Sequence, residues 1–381
     1  MFNFVFQNTT KLVFGKGQIA QLQSLIPIDK KVLITFGGGS VKRNGVYEQV
    51  KIALKDHDVI EFWGIEPNPA VETLRKAVQL GLEEKVDMLL AVGGGSVLDG
   101  TKLIAAAIAE PEKDAWDIVK SGTAPKQIPF ASVMTLPATG SEMNNGAVIS
   151  CHETQEKFSF RGDYPVFSIL DPETTYSLPP YQISCSLADI VVHCFEQYMT
   201  TTGQNRVLDR WAEGVIATAM EIAPLIKADS HNYEVMSDYM FSATMALNNF
   251  IRMGITQDWS THQIGHELTA LCGVTHGESL AIVYPGTIDV LREQKKDKLL
   301  QFGSRVLGID EGREEDRIDQ IIAQIEAFFK SLGLATRLSE KNIGVDVVEE
   351  IARRFNERGV KLGEAQNVTG DVAREILMRR L

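Results

Sequence analysis

VDMLLAVGGGSVLDGTK, residues 86–102, decides the fold. Val86–Val92 is a short apolar run, Gly93, Gly94, Gly95 and Ser96 break it, and residues 97–109 continue in a helical pattern. A buried strand that ends on glycine and passes straight into a helix is half of a βαβ unit, whose strands pair in parallel. The same arrangement stands upstream, where Lys31–Phe36 reads as a strand, Gly37, Gly38, Gly39 and Ser40 follow, and residues 46–54 form an amphipathic stretch. Residues 59–63, 130–136 and 166–170 add strands, and 70–84 another helix. Alternation of this kind predicts a parallel sheet covered on both faces. After Asp171-Pro172 and the Pro179-Pro180 pair the strand signal fades. Stretches 186–199, 206–226, 234–250, 259–271 and 314–332 carry helical spacing, the last with Gly333 as a C-cap. The expected organisation is an α/β domain over residues 1–180 followed by an all-helical domain over 181–381.

Composition agrees with a two-domain globular chain. Of 381 residues, 44% are hydrophobic and 23% charged, which provides for a large buried core. Lys plus Arg number 38 against 50 Asp plus Glu, a formal net charge of −12. So acidic a chain is a poor partner for nucleic acid or an anionic membrane, and neither is expected. Cys151, Cys185, Cys194 and Cys272 include no C-x-x-C pair. The opening MFNFVFQNTT lacks the basic and apolar regions of a secretory leader. Reduced thiols in a cytoplasmic protein are the expectation.

Glycine at a strand end removes the Cβ that would block a phosphate, and the helix that follows offers free amides. One such turn is equally a tight βα connection. Two of them strengthen the reading of a nucleotide site, although neither is G-x-G-x-x-G. Enzymes that prefer NAD place an acid on the adenosine ribose. Residues 37–44 contain none, but hold Ser40, Lys42 and Arg43, which favours NADP if this turn meets the ribose. A third turn, Thr135-Leu-Pro-Ala-Thr139-Gly-Ser141, offers hydroxyls and amides to a cofactor or to its own helix start.

The histidines carry the second chemical signal. Asp189 and His193 are four apart on a helical stretch and share a face, as do His262 and His266, with His276 just beyond. One carboxylate with imidazoles from three segments suits a divalent ion, Zn²⁺ or Fe²⁺. Ser186–Asp189 is equally readable as a capping box, and His193 as a core histidine. Spacing alone leaves five donors for about four positions. The run His262-Gln-Ile-Gly-His266-Glu267 is not H-E-x-x-H, and no G-x-S-x-G elbow occurs, so neither a zinc protease nor a serine hydrolase is supported.

GGGSVLDGTK at 93–102, TLPATGSEMN at 135–144, FSILDPETTYSLP at 167–179, SLADIVVHCFEQY at 186–198 and DWSTHQIGHELTALCGVTHG at 258–277 together resemble the iron-containing (group III) metal-dependent alcohol dehydrogenases. GGGSVKRNGVY and QDWSTH are most similar to the branch of NADPH-dependent aldehyde reductases and butanol dehydrogenases. The resemblance runs through most of residues 1–290. It implies a dehydroquinate synthase-like architecture: a dinucleotide-binding parallel-sheet domain, then a helical metal-binding and catalytic domain. It carries the metal ligands onto Asp189, His193, His262 and His276, and the pyrophosphate onto Gly93, Gly94, Gly95 and Ser96. Asp99, Thr135, Thr139, Ser141, Asn144 and Lys157 would line the cofactor, and Gly37, Gly38, Gly39 and Ser40 its adenosine end. His266 and Asp99 are the implied catalytic side chains. One departure is Thr275 before His276, where the family often has proline.

The implied activity is hydride transfer between NADP(H) and short- to medium-chain aldehydes or primary alcohols at one divalent ion, in a homodimer. A dehydroquinate synthase-like lyase and a non-catalytic NADP- or metal-binding sensor are the alternatives at this point.

Overall fold

The structure is a computed structural model that describes residues 1–200 and 205–381. The chain divides into two compact units. One comprises Gln7–Leu178 with Asp229–Thr244; the other comprises Met1–Phe6, Pro179–Ala228 and Met245–Leu381.

In the first unit the strands are β1 (Lys11–Phe14), β2 (Lys31–Phe36), β3 (Asp58–Phe62), β4 (Met88–Gly94), β5 (Phe130–Leu136), β6 (Gly146–Cys151), β7 (Glu156–Arg161) and β8 (Phe167–Leu170). Among the described residues, six of them form one sheet in the order β1-β8-β5-β4-β2-β3, parallel throughout. Strand side chains alternate between faces, and the core divides accordingly. Val32, Ile34, Phe36, Leu90 and Val92 pack with Ile19, Leu22, Val46 and Val50 on one face. Leu33, Leu89, Ala91 and Met134 pack with Val71, Leu74, Leu103 and Ala106 on the other. Both faces are dry, so the strands read as continuous apolar runs.

The strand order has a functional consequence. From β2 the chain adds β3 on one side and then β4 on the other, so the order reverses between β2 and β4. Open parallel sheets bind ligands at the carboxyl ends of the strands flanking such a reversal. Both GGGS turns lie there, because Phe36 is level with Val92.

Two features escape the sequence pattern. β1 is a four-residue edge strand paired only with β8, and β6 and β7 form an antiparallel hairpin away from the sheet. Strand β4 also runs further than the apolar run, through Gly93 and Gly94. The two glycines stay paired with β5 across a register shift, and the helix Gly95–Ala109 then starts at once.

The second unit is helical: Pro180–Tyr198, Arg206–Ala228, Ser260–Cys272, His276–Val290, Arg292–Phe302, Glu314–Ser331, Val345–Glu357 and Gly370–Met378. Ile264, Leu268, Ile282, Val283, Val348, Ile351, Phe355 and Ile376 share one core. The first of these helices starts at Pro180, six residues before the Ser186 of the capping-box reading. Proline at the first helical position loses no hydrogen bond and presets φ. Asp189 therefore lies mid-helix, free of any capping duty. His276 opens a helix: Gly273, at φ 68°, ends the preceding helix and Thr275 is the N-cap residue of the next.

Glycine sets how closely these helices meet. A Cβ on Gly277 would stand 2.0 Å from the carbonyl oxygen of Cys185, and one on Gly265 would stand 2.8 Å from Ser279 Oγ. The Cys185 contact is to backbone, which cannot swing aside. Gly277→Ala is therefore expected to lower stability by about 1–3 kcal/mol or more, read as a drop in Tm. An unchanged Tm would show that these helices can separate without cost.

Candidate functional site

Helices Pro180–Tyr198, Ser260–Cys272 and His276–Val290 bring four side chains to one point. Asp189 Oδ1 lies 3.4 Å from His193 Nε2, 3.7 Å from His262 Nε2 and 3.6 Å from His276 Nε2. Asp189, His193 and His262 are buried, and His276 is partly exposed. The separations exceed an ordinary N–H···O hydrogen bond of about 2.7–3.2 Å. Donor atoms around a tetrahedral ion with bonds of about 2.0–2.1 Å stand roughly 3.4 Å apart. The ligand atoms of Asp189, His262 and His276 fall within 4.8 Å of one another. Asp189 Oδ1 and His262 Nε2 are buried without a hydrogen-bond partner among the described residues. An orphaned carboxylate oxygen and orphaned ring nitrogen facing one point fit a divalent cation.

The protonation states favour the same conclusion. Burial pushes His193 down to about 4, so its ring is neutral at physiological pH and able to ligate. It stacks on His262, with ring centroids 4.7 Å apart and planes 19° from parallel. His262 is oriented by Glu196, a residue absent from the sequence-derived set. Glu196 accepts backbone N–H bonds from Thr261 at 2.6 Å and His262 at 3.2 Å, and its Oε2 meets His262 Nδ1. That contact puts the proton on Nδ1 and the lone pair on Nε2, the arrangement by which a carboxylate aims a ligating histidine. Burial opposes charge on His262, but Glu196 and Asp189 raise it to about 9. Two buried carboxylates thus call for positive charge here, and a divalent ion supplies it. Glu196 was readable in principle, since residues 189, 193 and 196 follow the i, i+4, i+7 spacing of one helix face.

His266 is a buried neighbour of the cluster, its ring centroid 5.3 Å from that of His276 and 6.4 Å from that of His262. Trp259 caps the Ser260–Cys272 helix in the left-handed region, at φ 67°. Its indole meets the His262 ring edge-on at 5.2 Å and the His193 ring at 6.2 Å.

The nucleotide candidates lie in the α/β unit. Gly37 to Gly39 follow β2, and Ser40 begins a single helical turn, Ser40–Arg43. Gly38, Ser40, Lys42 and Arg43 are exposed. Lys42 Nζ rests 3.9 Å from the Trp63 ring centroid. At the second turn no side chain among the described residues caps the Gly95–Ala109 helix, so its first amides are left for a ligand, as a pyrophosphate site requires. Gly95 packs on the third turn; a Cβ there would stand 2.3 Å from Thr139 Oγ1. Thr135 is the penultimate residue of β5, next to β4, so all three turns lie at the carboxyl ends of neighbouring strands.

Asn68 is a further residue that spacing did not reveal. Held at φ 56°, it donates its backbone N–H to Ser96 Oγ at 3.3 Å and accepts from Lys157 Nζ at 2.9 Å. Asp99, Ser141 and Asn144 meet around Lys102, whose ammonium is buried. Lys102 Nζ donates to Ser141 O and Oγ, Asn144 O and Oδ1, and Gly146 O, at 2.7–3.2 Å. Asp99 accepts from Ser141 Oγ at 2.6 Å and from Val148 N at 2.9 Å. The Asp99 carboxylate thus has one oxygen on Ser141 of the third turn and the other on Val148 of β6.

Comparison with known proteins follows this geometry. Residues 9–172 match the family described as iron-containing alcohol dehydrogenase, and residues 184–380 the C-terminal part of the Fe-containing alcohol dehydrogenase family. The chain is 48% identical over 382 residues to the NADPH-dependent aldehyde reductase YqhD of Escherichia coli K12, covering 99% of each. It is 39% identical to the probable NADH-dependent butanol dehydrogenase 1 of Bacillus subtilis, covering 94% of this chain and 95% of the relative. The crystal structure of Escherichia coli K-12 YqhD superposes with a TM-score of 0.98 at 47% identity, covering 100% of this chain and 99% of that one.

Removing Glu196 is expected to weaken metal binding by about 10–100-fold. Glu196→Gln, which keeps an acceptor for Nδ1–H, should lose less than Glu196→Ala, and His262→Ala should lose tight binding altogether. Zn²⁺ titration against a chelator measures all three, and a metal-loaded His262→Ala protein would refute the ligand assignment.

Proposed function

Because the chain belongs to the iron-containing alcohol dehydrogenase family, we propose that it reduces short- to medium-chain aldehydes with NADPH and oxidises primary alcohols in reverse. The observation that carries this reading is the convergence of Asp189, His193, His262 and His276 about one carboxylate oxygen, in a chain that also has two glycine turns flanking a sheet reversal. When bound, a divalent ion supplies electrophilic polarisation of the carbonyl oxygen, and the reduced nicotinamide supplies hydride.

The residues of the chain do the rest. Asp189 and the three histidines hold the ion, and Glu196 keeps His262 in the ligating tautomer. The amides of the Gly95–Ala109 helix and the Lys157 ammonium hold the nucleotide's phosphates and ribose. His266 passes a proton between the nascent alcohol and solvent. Asp99 acts through Ser141, as a positioning group for the third turn.

NADPH is preferred over NADH in this reading. Relatives named for either nucleotide exist, so the argument rests on the first turn. An acid there would accept ribose hydroxyls and repel a 2′-phosphate; this turn offers Ser40, Lys42 and Arg43. The relatives' names favour a dehydrogenase, and no observation favours the lyase or the sensor. The thiols of Cys151, Cys185, Cys194 and Cys272 are all free, which supports a reducing compartment such as the cytoplasm. Among the described residues no helix is long and apolar enough to cross a membrane.

A homodimer is the proposed assembly. Phe2, Phe4 and Val5 are 62%, 48% and 97% exposed, and Trp211 and Val207 are exposed in the same helical unit. Phe6 and Trp211 both contact Phe250, which makes the exposed apolar surface continuous, as interfaces are.

Three measurements test the proposal. Protein loaded with Zn²⁺ or Fe²⁺ should oxidise NADPH with butanal and lose that activity to a chelator, and Ser40→Asp should cut kcat/KM for NADPH by about tenfold or more while sparing NADH. Absence of turnover with either nucleotide and either ion would overturn the assignment. Val5→Asp with Phe4→Asp should shift the sedimenting species from dimer to monomer; an unchanged dimer would place the interface elsewhere.

A further inference from the structure

Lys295 lies outside every motif and is 1% exposed. A buried ammonium is costly unless its donors are matched and its charge is met. Lys295 Nζ donates to Asp258 Oδ2 at 2.5 Å, to Glu364 Oε1 and Oε2 at 3.1 and 3.0 Å, and to the main-chain oxygen of Met199 at 2.8 Å. Burial works against the charge, but the two carboxylates raise the ammonium above its ordinary value, so it stays protonated.

Its partners occupy two decisive places. Met199 is the C-cap of the Pro180–Tyr198 helix, which carries Asp189, His193 and Glu196. Asp258 begins the turn into the Ser260–Cys272 helix, which carries His262. Asp258 Oδ1 accepts from the backbone N–H and hydroxyl of Ser260, and Asp258 N donates to Glu196 O at 2.8 Å. One residue on, Trp259 takes its left-handed conformation. A single ammonium therefore joins the end of one ligand helix to the start of another, with Glu364 balancing its charge from the C-terminal segment.

We propose that Lys295 is a positioning residue for the metal centre, clamping the Asp189–His193 helix to the His262 helix so that their donors stay at coordinating separation. The proposal rests on the ligand assignment above. The clamp leaves the metal ligands' identity unchanged and fixes their spacing before the ion arrives, which raises affinity by lowering the ordering that binding requires.

Lys298 provides an internal control. It lies one helical turn along, is 3% exposed, pairs with Asp209 at 2.5 Å and rests 4.6 Å from the Tyr198 ring centroid; it touches the end of one ligand helix but makes no bond to Met199 or to the Asp258 turn, so it does not join the two helices. Purified full-length proteins are titrated with Zn²⁺ against a chromophoric chelator, and apo-protein Tm is recorded in parallel. Wild type should bind one equivalent; if it binds none, the ligand assignment itself fails, and the clamp with it. Lys295→Met is expected to weaken Zn²⁺ binding about tenfold or more, whereas Lys298→Met lowers Tm with wild-type Zn²⁺ affinity. Should Lys295→Met fail to fold with Asp258 and Glu364 left unbalanced, the triple variant Lys295→Met, Asp258→Asn, Glu364→Gln removes the buried charges together and is expected to show the same weakening. Wild-type affinity in either Lys295 variant, or equal weakening in Lys298→Met, overturns the clamp.

Discussion

Two buried carboxylates without enough buried positive charge govern the helical unit. Asp189 and Glu196 lie on one helix among imidazoles, one neutral by burial and one held by Glu196. Such a set is unstable as a bare protein interior and stable around a cation. The surroundings can be understood from that need: Gly277 and Gly265 let the ligand helices approach, and the backbone amides of Thr261 and His262 hold Glu196 in place.

The α/β unit solves a different problem, which is to receive negative charge. Its strand order puts two glycine turns side by side at a reversal, with a helix N-terminus that no side chain among the described residues caps. The Lys102 network fixes the third turn beside them. Asp99 and Ser141, expected beside the cofactor, also take part in that internal support.

Much of this was legible in the sequence, and the limits have physical reasons. Buried parallel strands are continuous apolar runs, so β2, β4 and β5 announce themselves; β1, four residues at an edge, and the β6–β7 hairpin do not. The proposed metal ligands stood out because helical spacing puts Asp189 and His193 on one face and because histidine is scarce. Their number was not decided by spacing, since His266 is as well placed along its helix as His262. Glu196, Asn68, Lys102 and Lys295 share a different character. Each acts through a partner far along the chain, 66 residues away for Glu196 and His262 and 96 for Lys295 and Met199; local spacing can place Glu196 on the face of Asp189 and His193, but no local pattern names a partner at that range. The capping-box alternative for Asp189 disappeared for a local reason, the helix start at Pro180.

Trp259 has one more consequence. The chain has four tryptophans, and this one meets the rings of two proposed ligands, His193 and His262, edge-on. On the proposed ligand assignment, its emission is a built-in gauge of what the site holds. A filled d-shell ion such as Zn²⁺ has no redox chemistry with which to drain an excited indole, whereas an open-shell ion at that range is a quencher. The identity of the bound metal can thus be followed by light, without removing it from the protein.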